Sequence, residues 1–135
     1  MLNFQHKFKD GIILIYSALS IVAPSGVKIM NGLKTLEIRS WHPPTLPLKD
    51  LVIVENNNFL NKDFFFFFGL AIALVDIESI HEWQEDEIEI ACASYWETGY
   101  YAWVITNIRP LHKPIKTIAK RKIYTINLSL EYHSE

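Results

Sequence analysis

A chain of 135 residues, half of them apolar and 13% aromatic, has the length of one domain and enough apolar surface for a core. It is no disordered tract. The formal charge of −2 argues against a protein that holds polyanions through its average charge, and a single cysteine, Cys92, excludes an internal disulfide framework and fits a reducing, cytoplasmic setting.

Taken in order, residues 1–14 read as an N-terminal arm and lead-in, 15–130 as the domain and 131–135 as a tail. Tyr16 to Ile21 is a strand by its apolar and β-branched content. Pro24 suits the first turn of a short helix, Val27 and Met30 give that helix a buried face, and Gly32 stands where a left-handed C-cap is expected. Thr35 to Ser40 is the next strand. The prolines of His42–Pro47 make a stiff loop, Leu51 to Val54 is a strand buried on both faces, and Glu55 to Asp63 is a loop. Phe66 to Ile77 is a long strand, bulged at Gly69. Glu85 to Glu97 reads as a second helix, with Ile88, Cys92 and Tyr95 on one side, acids in its first turn and Gly99 at its end. Tyr101 to Ile108 is a strand closed by Arg109-Pro110, and Tyr124, Ile126, Leu128 and Leu130 alternate as the last strand. Five or six strands with two helices and no βαβ rhythm predict an α+β fold, a small mixed β-barrel.

Charge is segregated along this chain. Asp76 to Glu97 holds eight acids and no Lys or Arg, whereas Arg109 to Lys122 holds six Lys or Arg and no acid. The basic segment can supply phosphate contacts. Two apolar stretches raise the question of membranes. Gly11 to Ala23 has Asp10 at its edge and lacks a clean cleavage site for a signal peptide, and Phe64 to Val75 is far shorter than the roughly 20 residues a spanning helix needs. No membrane association is expected. The histidines His6, His42, His81, His112 and His133 lack metal-ligand spacing, and neither a metal nor another cofactor is implied. A phosphate-loop reading of Gly26 to Thr35 fails on spacing and on order, because strand rather than helix follows Lys34.

The densest chemistry lies in Gly32–Trp41. Glu37 and Arg39 are two apart and share one strand face, while Leu36 and Ile38 point into a core. Lys34 joins the polar pair if it still sits in the turn before the strand. Together they deliver an ammonium, a carboxylate and a guanidinium to one place.

Several blocks occur in a family order: Ala18-Leu19-Ser20-Ile21, Pro24, Gly32-x-Lys34-Thr35-x-Glu37-x-Arg39-Ser40-Trp41, the Gly69–Ile77 strand, Tyr101-Ala-Trp103-Val, and Asn107-Ile-Arg109-Pro110-Leu111 with Pro114-Ile115. In this the chain resembles the ASCH domains of the PUA-like superfamily, over roughly Ser17 to Leu128. The resemblance implies a PUA-like barrel with a cleft beside the first helix, and RNA or a modified nucleoside as ligand. For a binding module the candidate ligand-binding residues are Thr35, Arg39, Trp41, Trp103, Asn107 and Arg109, with Trp41 or Trp103 as a stacking surface and Glu37 accepting from an exocyclic amine. Some small members remove the acetyl group from N4-acetylcytidine with the lysine of this motif, a threonine three residues on and a glutamate elsewhere. Lys34 matches that lysine, Glu37 stands in the threonine position, and Glu85, Glu87 or Glu89 lies in a region comparable to the glutamate. The alternative to a binding module is therefore an amidohydrolase with Lys34 and Glu37 as its catalytic residues.

Overall fold

The computed structural model describes residues 4–8, 11–57 and 67–130, with side-chain surroundings for 14–57 and 67–128. Its elements are β1 (Phe4–Phe8), β2 (Gly11–Val22), α1 (Ser25–Met30), β3 (Leu36–Arg39), β4 (Leu48–Asn56), β5 (Phe67–Glu82), a single 3-10 turn at Glu85–Glu87, β6 (Tyr101–Ala119) and β7 (Ile123–Leu130). Part of the segment read as an arm is paired: Phe4–Phe8 runs antiparallel to residues 11–15 of β2. Phe64 to Phe66 and the 131–135 tail lie outside the described residues.

The strands form one mixed sheet in the order β1-β2-β4-β5-β6-β3, with β7 on the other side of β2. Only β2 and β4 pair in parallel among the adjacent strands, Ala18 opposite Val52. In β4, Leu51 and Ile53 enter one apolar cluster with Leu19, Ile29, Val75 and Trp103, while Val52 and Val54 enter another with Tyr16, Ala18, Ile126 and Leu128. Its expected burial on both faces is thus observed.

The path β7-β2-β4-β5-β6 cannot be flat. Five strands side by side would separate β7 from β6 by about 19 Å. The three residues 120–122 that join Ala119 to Ile123 reach at most about 14 Å. The sheet therefore rolls until its ends meet. Among the described residues no ladder joins β7 to β6 or β3, so it is not closed into the barrel expected from sequence. Pro110 and Pro114 lie in β6, and neither has an N–H to give to such a ladder. The basic connection expected after Ile108 is strand instead. Pro114 is accommodated because the β5 partners pass from Ala73 opposite Pro110 to Ala71 opposite Ile115, a bulge that absorbs it.

The second helix is also absent. Glu87 reaches back to the Gln84 N–H at 2.9 Å and opens one turn. That turn closes at once, because Ala93 N–H donates to the Ile88 carbonyl, Cys92 N–H donates to the Glu89 carbonyl, and Cys92 sits at φ 54°. This is a Schellman stop with cysteine in the left-handed position where glycine is usual. No helix among the described residues is long and apolar enough to cross a membrane.

Candidate nucleic-acid interface

Two Schellman turns, one ending α1 and one following the 3-10 turn, build the floor of the site. α1 stops in its own Schellman turn: Leu33 N–H donates to the Lys28 carbonyl, Gly32 N–H to that of Ile29, and Gly32 takes φ 78°. Lys34 then lies in the turn, because β3 begins only at Leu36. The Cys92 turn abuts it, with Thr35 N–H donating to the Ile90 carbonyl at 2.9 Å. A helical turn leaves its last carbonyls without intrahelical partners. The Lys34 ammonium supplies one, donating to the Ala91 carbonyl at 2.6 Å.

Glu37 connects this lysine to Arg39. Its Oε1 is 3.5 Å from Lys34 Nζ and its Oε2 accepts from Arg39 Nε at 2.8 Å, with the Lys34 and Glu37 side chains only 8% and 9% exposed. Arg39 Nη2 goes on to the Ser20 carbonyl at 3.1 Å. The antiparallel β7 ladder on β2 ends at Leu19, so this carbonyl lies just past its last rung. Arg39 thus links β3 to β2 across the unladdered seam of the rolled sheet. Leu36, on the other strand face, packs with Trp83, Ala91 and Ala102, and Ile38 packs against them, as parity predicts.

The cleft at this seam has a volume of about 860 Å³, within the range of small-ligand sites. Its walls are the end of β2, the Lys34 turn, β3, the Ala91–Ala93 segment and the 120–122 tip of the β6–β7 connection. Lys34, Arg39, Lys120, Arg121 and Lys122 line it against one carboxylate, that of Glu37. Trp41 is half-buried at its edge, with Arg39 at 6.0 Å and Lys122 Nζ at 5.6 Å from its ring centre.

Other sequence candidates fall elsewhere. Trp103 is fully buried; it packs edge-on against Trp41 at 4.9 Å and donates from Nε1 to the Trp41 carbonyl. It supports Trp41 and offers no stacking surface of its own. Thr35 does not line the cleft; its carbonyl accepts from Ile105 N–H and so ties the motif to β6. Asn107 and Arg109 belong to a separate network on β5 and β6. Arg109 Nη1 reaches Asp50 at 2.6 Å and Nη2 reaches Asp76 at 2.7 Å, while Asn107 Nδ2 donates to Asp76 at 3.0 Å. Burial alone would raise the Asp76 carboxyl, but the Asp50 N–H, Asn107, Arg109 and Lys49 outweigh it and hold the group below its ordinary range. Neither Asn107 nor Arg109 lines the cleft. Glu85, Glu87 and Glu89 do not line it either; Glu87 faces His81 at 2.9 Å.

Sequence reasoning missed Ser20 and the Ala91 carbonyl, and left the basic segment undivided. Only Lys120–Lys122 reaches the cleft, whereas Lys113 and Lys116 lie along β6 away from it. The available signal was the three-residue gap between two strand patterns, which makes a turn of a charged tripeptide. Among the described residues no group of His, Cys, Asp and Glu is placed to hold a metal ion.

The site is thus a cation-lined, tryptophan-edged cleft at the seam of a rolled mixed sheet. The family model that matches is that of the ASCH domain, over residues 19–115. The chain belongs to the ASCH domain family, which is usually linked to RNA binding. The match includes the whole Gly32–Trp41 motif and stops before the Lys120–Lys122 tip. The comparison with curated proteins gave no match.

Proposed function

We propose that this protein binds RNA or a modified nucleoside in the cleft centred on Gly32–Trp41. The observation that carries the reading is the concentration of five cations against one carboxylate around a single cleft, in a chain whose formal charge is −2. The base is assigned to the interior. There the two Glu37 oxygens keep acceptor capacity beyond their contacts with Lys34 and Arg39 and can accept from an exocyclic amine, and Trp41 offers an aromatic surface at the edge.

The hydrolytic alternative asks Lys34 to take up a proton. The geometry favours it less, because the ammonium already donates to the Ala91 carbonyl and lies against the Glu37 carboxylate. Binding of a single-stranded RNA to the purified protein, measured over a salt series, tests the reading. Affinity is expected to fall linearly on a log–log plot and to drop on Arg39→Ala. An RNA affinity indifferent to salt would sink it. Incubation with N4-acetylcytidine, with Lys34→Ala as control, reports separately on deacetylation.

A further inference from the structure

The 120–122 tip sets three cations on the cleft wall and is held there by a chain of side-chain hydrogen bonds. Lys120, Arg121 and Lys122 are all exposed, and among the described residues none forms an ion pair. Yet the tip's backbone is fixed to the cleft wall. Lys120 N–H donates to Ser20 Oγ at 3.2 Å, Ser20 Oγ lies 2.8 Å from Tyr124 Oη, and Tyr124 donates to the Ile118 carbonyl at 2.9 Å. The Tyr124 hydroxyl has one proton, committed to Ile118, so Ser20 must donate to Tyr124 and the chain of bonds has one direction. Burial lifts the Tyr124 phenol above its ordinary range despite its bonds to Ser20 and Lys120, which keeps that proton in place at neutral pH.

Ser20 thus serves both walls. Its hydroxyl holds the tip and its carbonyl holds Arg39. Lys122, at φ 56°, turns the chain there and brings its ammonium over Trp41. An anchored turn that carries exposed cations on the same cleft as the Lys34–Glu37 pair offers a phosphate positive charge that, among the described residues, no carboxylate already neutralises.

We propose that Lys120–Arg121–Lys122 is a phosphate subsite, so that the cleft takes a phosphorylated nucleoside unit, base inward at Lys34–Glu37 and phosphate outward at the tip, rather than a free nucleoside. The inference rests on the reading above and adds the ligand's phosphate and its polarity. The phosphate can belong to a strand or to a mononucleotide.

The test uses the full chain and two variants of equal charge change, K120Q/K122Q at the tip and K113Q/K116Q on β6. Probes are a ten-nucleotide single-stranded RNA across a salt series, the four common ribonucleosides, and their 5′-monophosphates. The tip variant is expected to reduce the RNA salt slope by about 1.4, at roughly 0.7 for each phosphate no longer neutralised, while the β6 variant leaves it unchanged. If a mononucleotide is the ligand, it binds about tenfold tighter than its nucleoside, and the tip variant abolishes that preference. Binding of RNA alone points to a strand. Equal losses of slope in both variants, or an unchanged slope in the tip variant, overturn the subsite and leave the binding reading standing. A nucleoside that binds as tightly as its monophosphate does the same. A wild-type protein that binds none of the probes removes the subsite and the RNA reading with it.

Discussion

Arg109 is a ligand-binding candidate by sequence and a structural cation in the fold, so Arg109→Met separates the two roles. The substitution keeps much of the stem; besides an exposed bond to the Asn107 carbonyl at 3.0 Å, it removes two ion-paired hydrogen bonds, to Asp50 at 2.6 Å and Asp76 at 2.7 Å. Each such bond contributes about 1.5–3 kcal/mol in a protected setting. The Asp50 bond is discounted heavily, because the Arg109 and Asp50 side chains are 36% and 31% exposed. Asp76 is only 6% exposed but keeps the Asp50 N–H and Asn107 after the change. The expected loss is therefore about 2 kcal/mol at pH 7, well short of the roughly 3–5 kcal/mol of a fully orphaned buried charge.

The pH dependence has a definite sign. Asp76 is held below its ordinary value of 3.8 in the folded protein. Its pairing thus stabilises the fold fully above that value and is lost as pH falls from about 4 through the folded pKa. Urea titrations at pH 7 and pH 3 should show the wild-type advantage over Arg109→Met shrinking at the lower pH, with RNA affinity at neutral pH unchanged. A stability difference independent of pH would refute the electrostatic account. A folded variant with weakened RNA binding would return Arg109 to the ligand site.

Three further outcomes are expected. Glu37→Ala leaves Lys34 and Arg39 facing one another without the carboxylate between them; as Arg39 is 23% exposed, chemical denaturation should register a loss of about 2–3 kcal/mol. Trp103→Ala empties a fully buried position and removes the bond to the Trp41 carbonyl; it should cost about 3–5 kcal/mol and weaken binding through Trp41, visible as a shift in both urea midpoint and RNA affinity. Gly69→Ala would place a Cβ 2.6 Å from the Glu55 carbonyl oxygen and 2.8 Å from Val54 Cγ1, so thermal denaturation should show overpacking of about 1–3 kcal/mol.

What the sequence determined by itself is what depends on a few neighbouring residues. Glu37 and Arg39 share a face because a strand alternates, Gly32 caps α1 because a left-handed stop admits it without strain, and Lys34 joins them because the turn exempts it from that alternation. Buried β4 was legible for a similar reason: four consecutive apolar side chains leave no face for water.

Tertiary structure decided everything that joins distant segments. Acids in the first turn announce a helix start at Glu85, but continuation past Ile90 competes with a Schellman turn whose carbonyls are taken by Lys34 and Thr35 from far along the chain. The two aspartates that claim Arg109 lie on β4 and β5. The basic segment reads as one run of charge, yet the bulge at Pro110–Ile115 and the roll of the sheet leave most of it on β6 and send only its last three residues to the cleft. Lys120 meets Ser20 across 100 residues of sequence. Such a contact is set by how the sheet closes on itself, which no local spacing encodes.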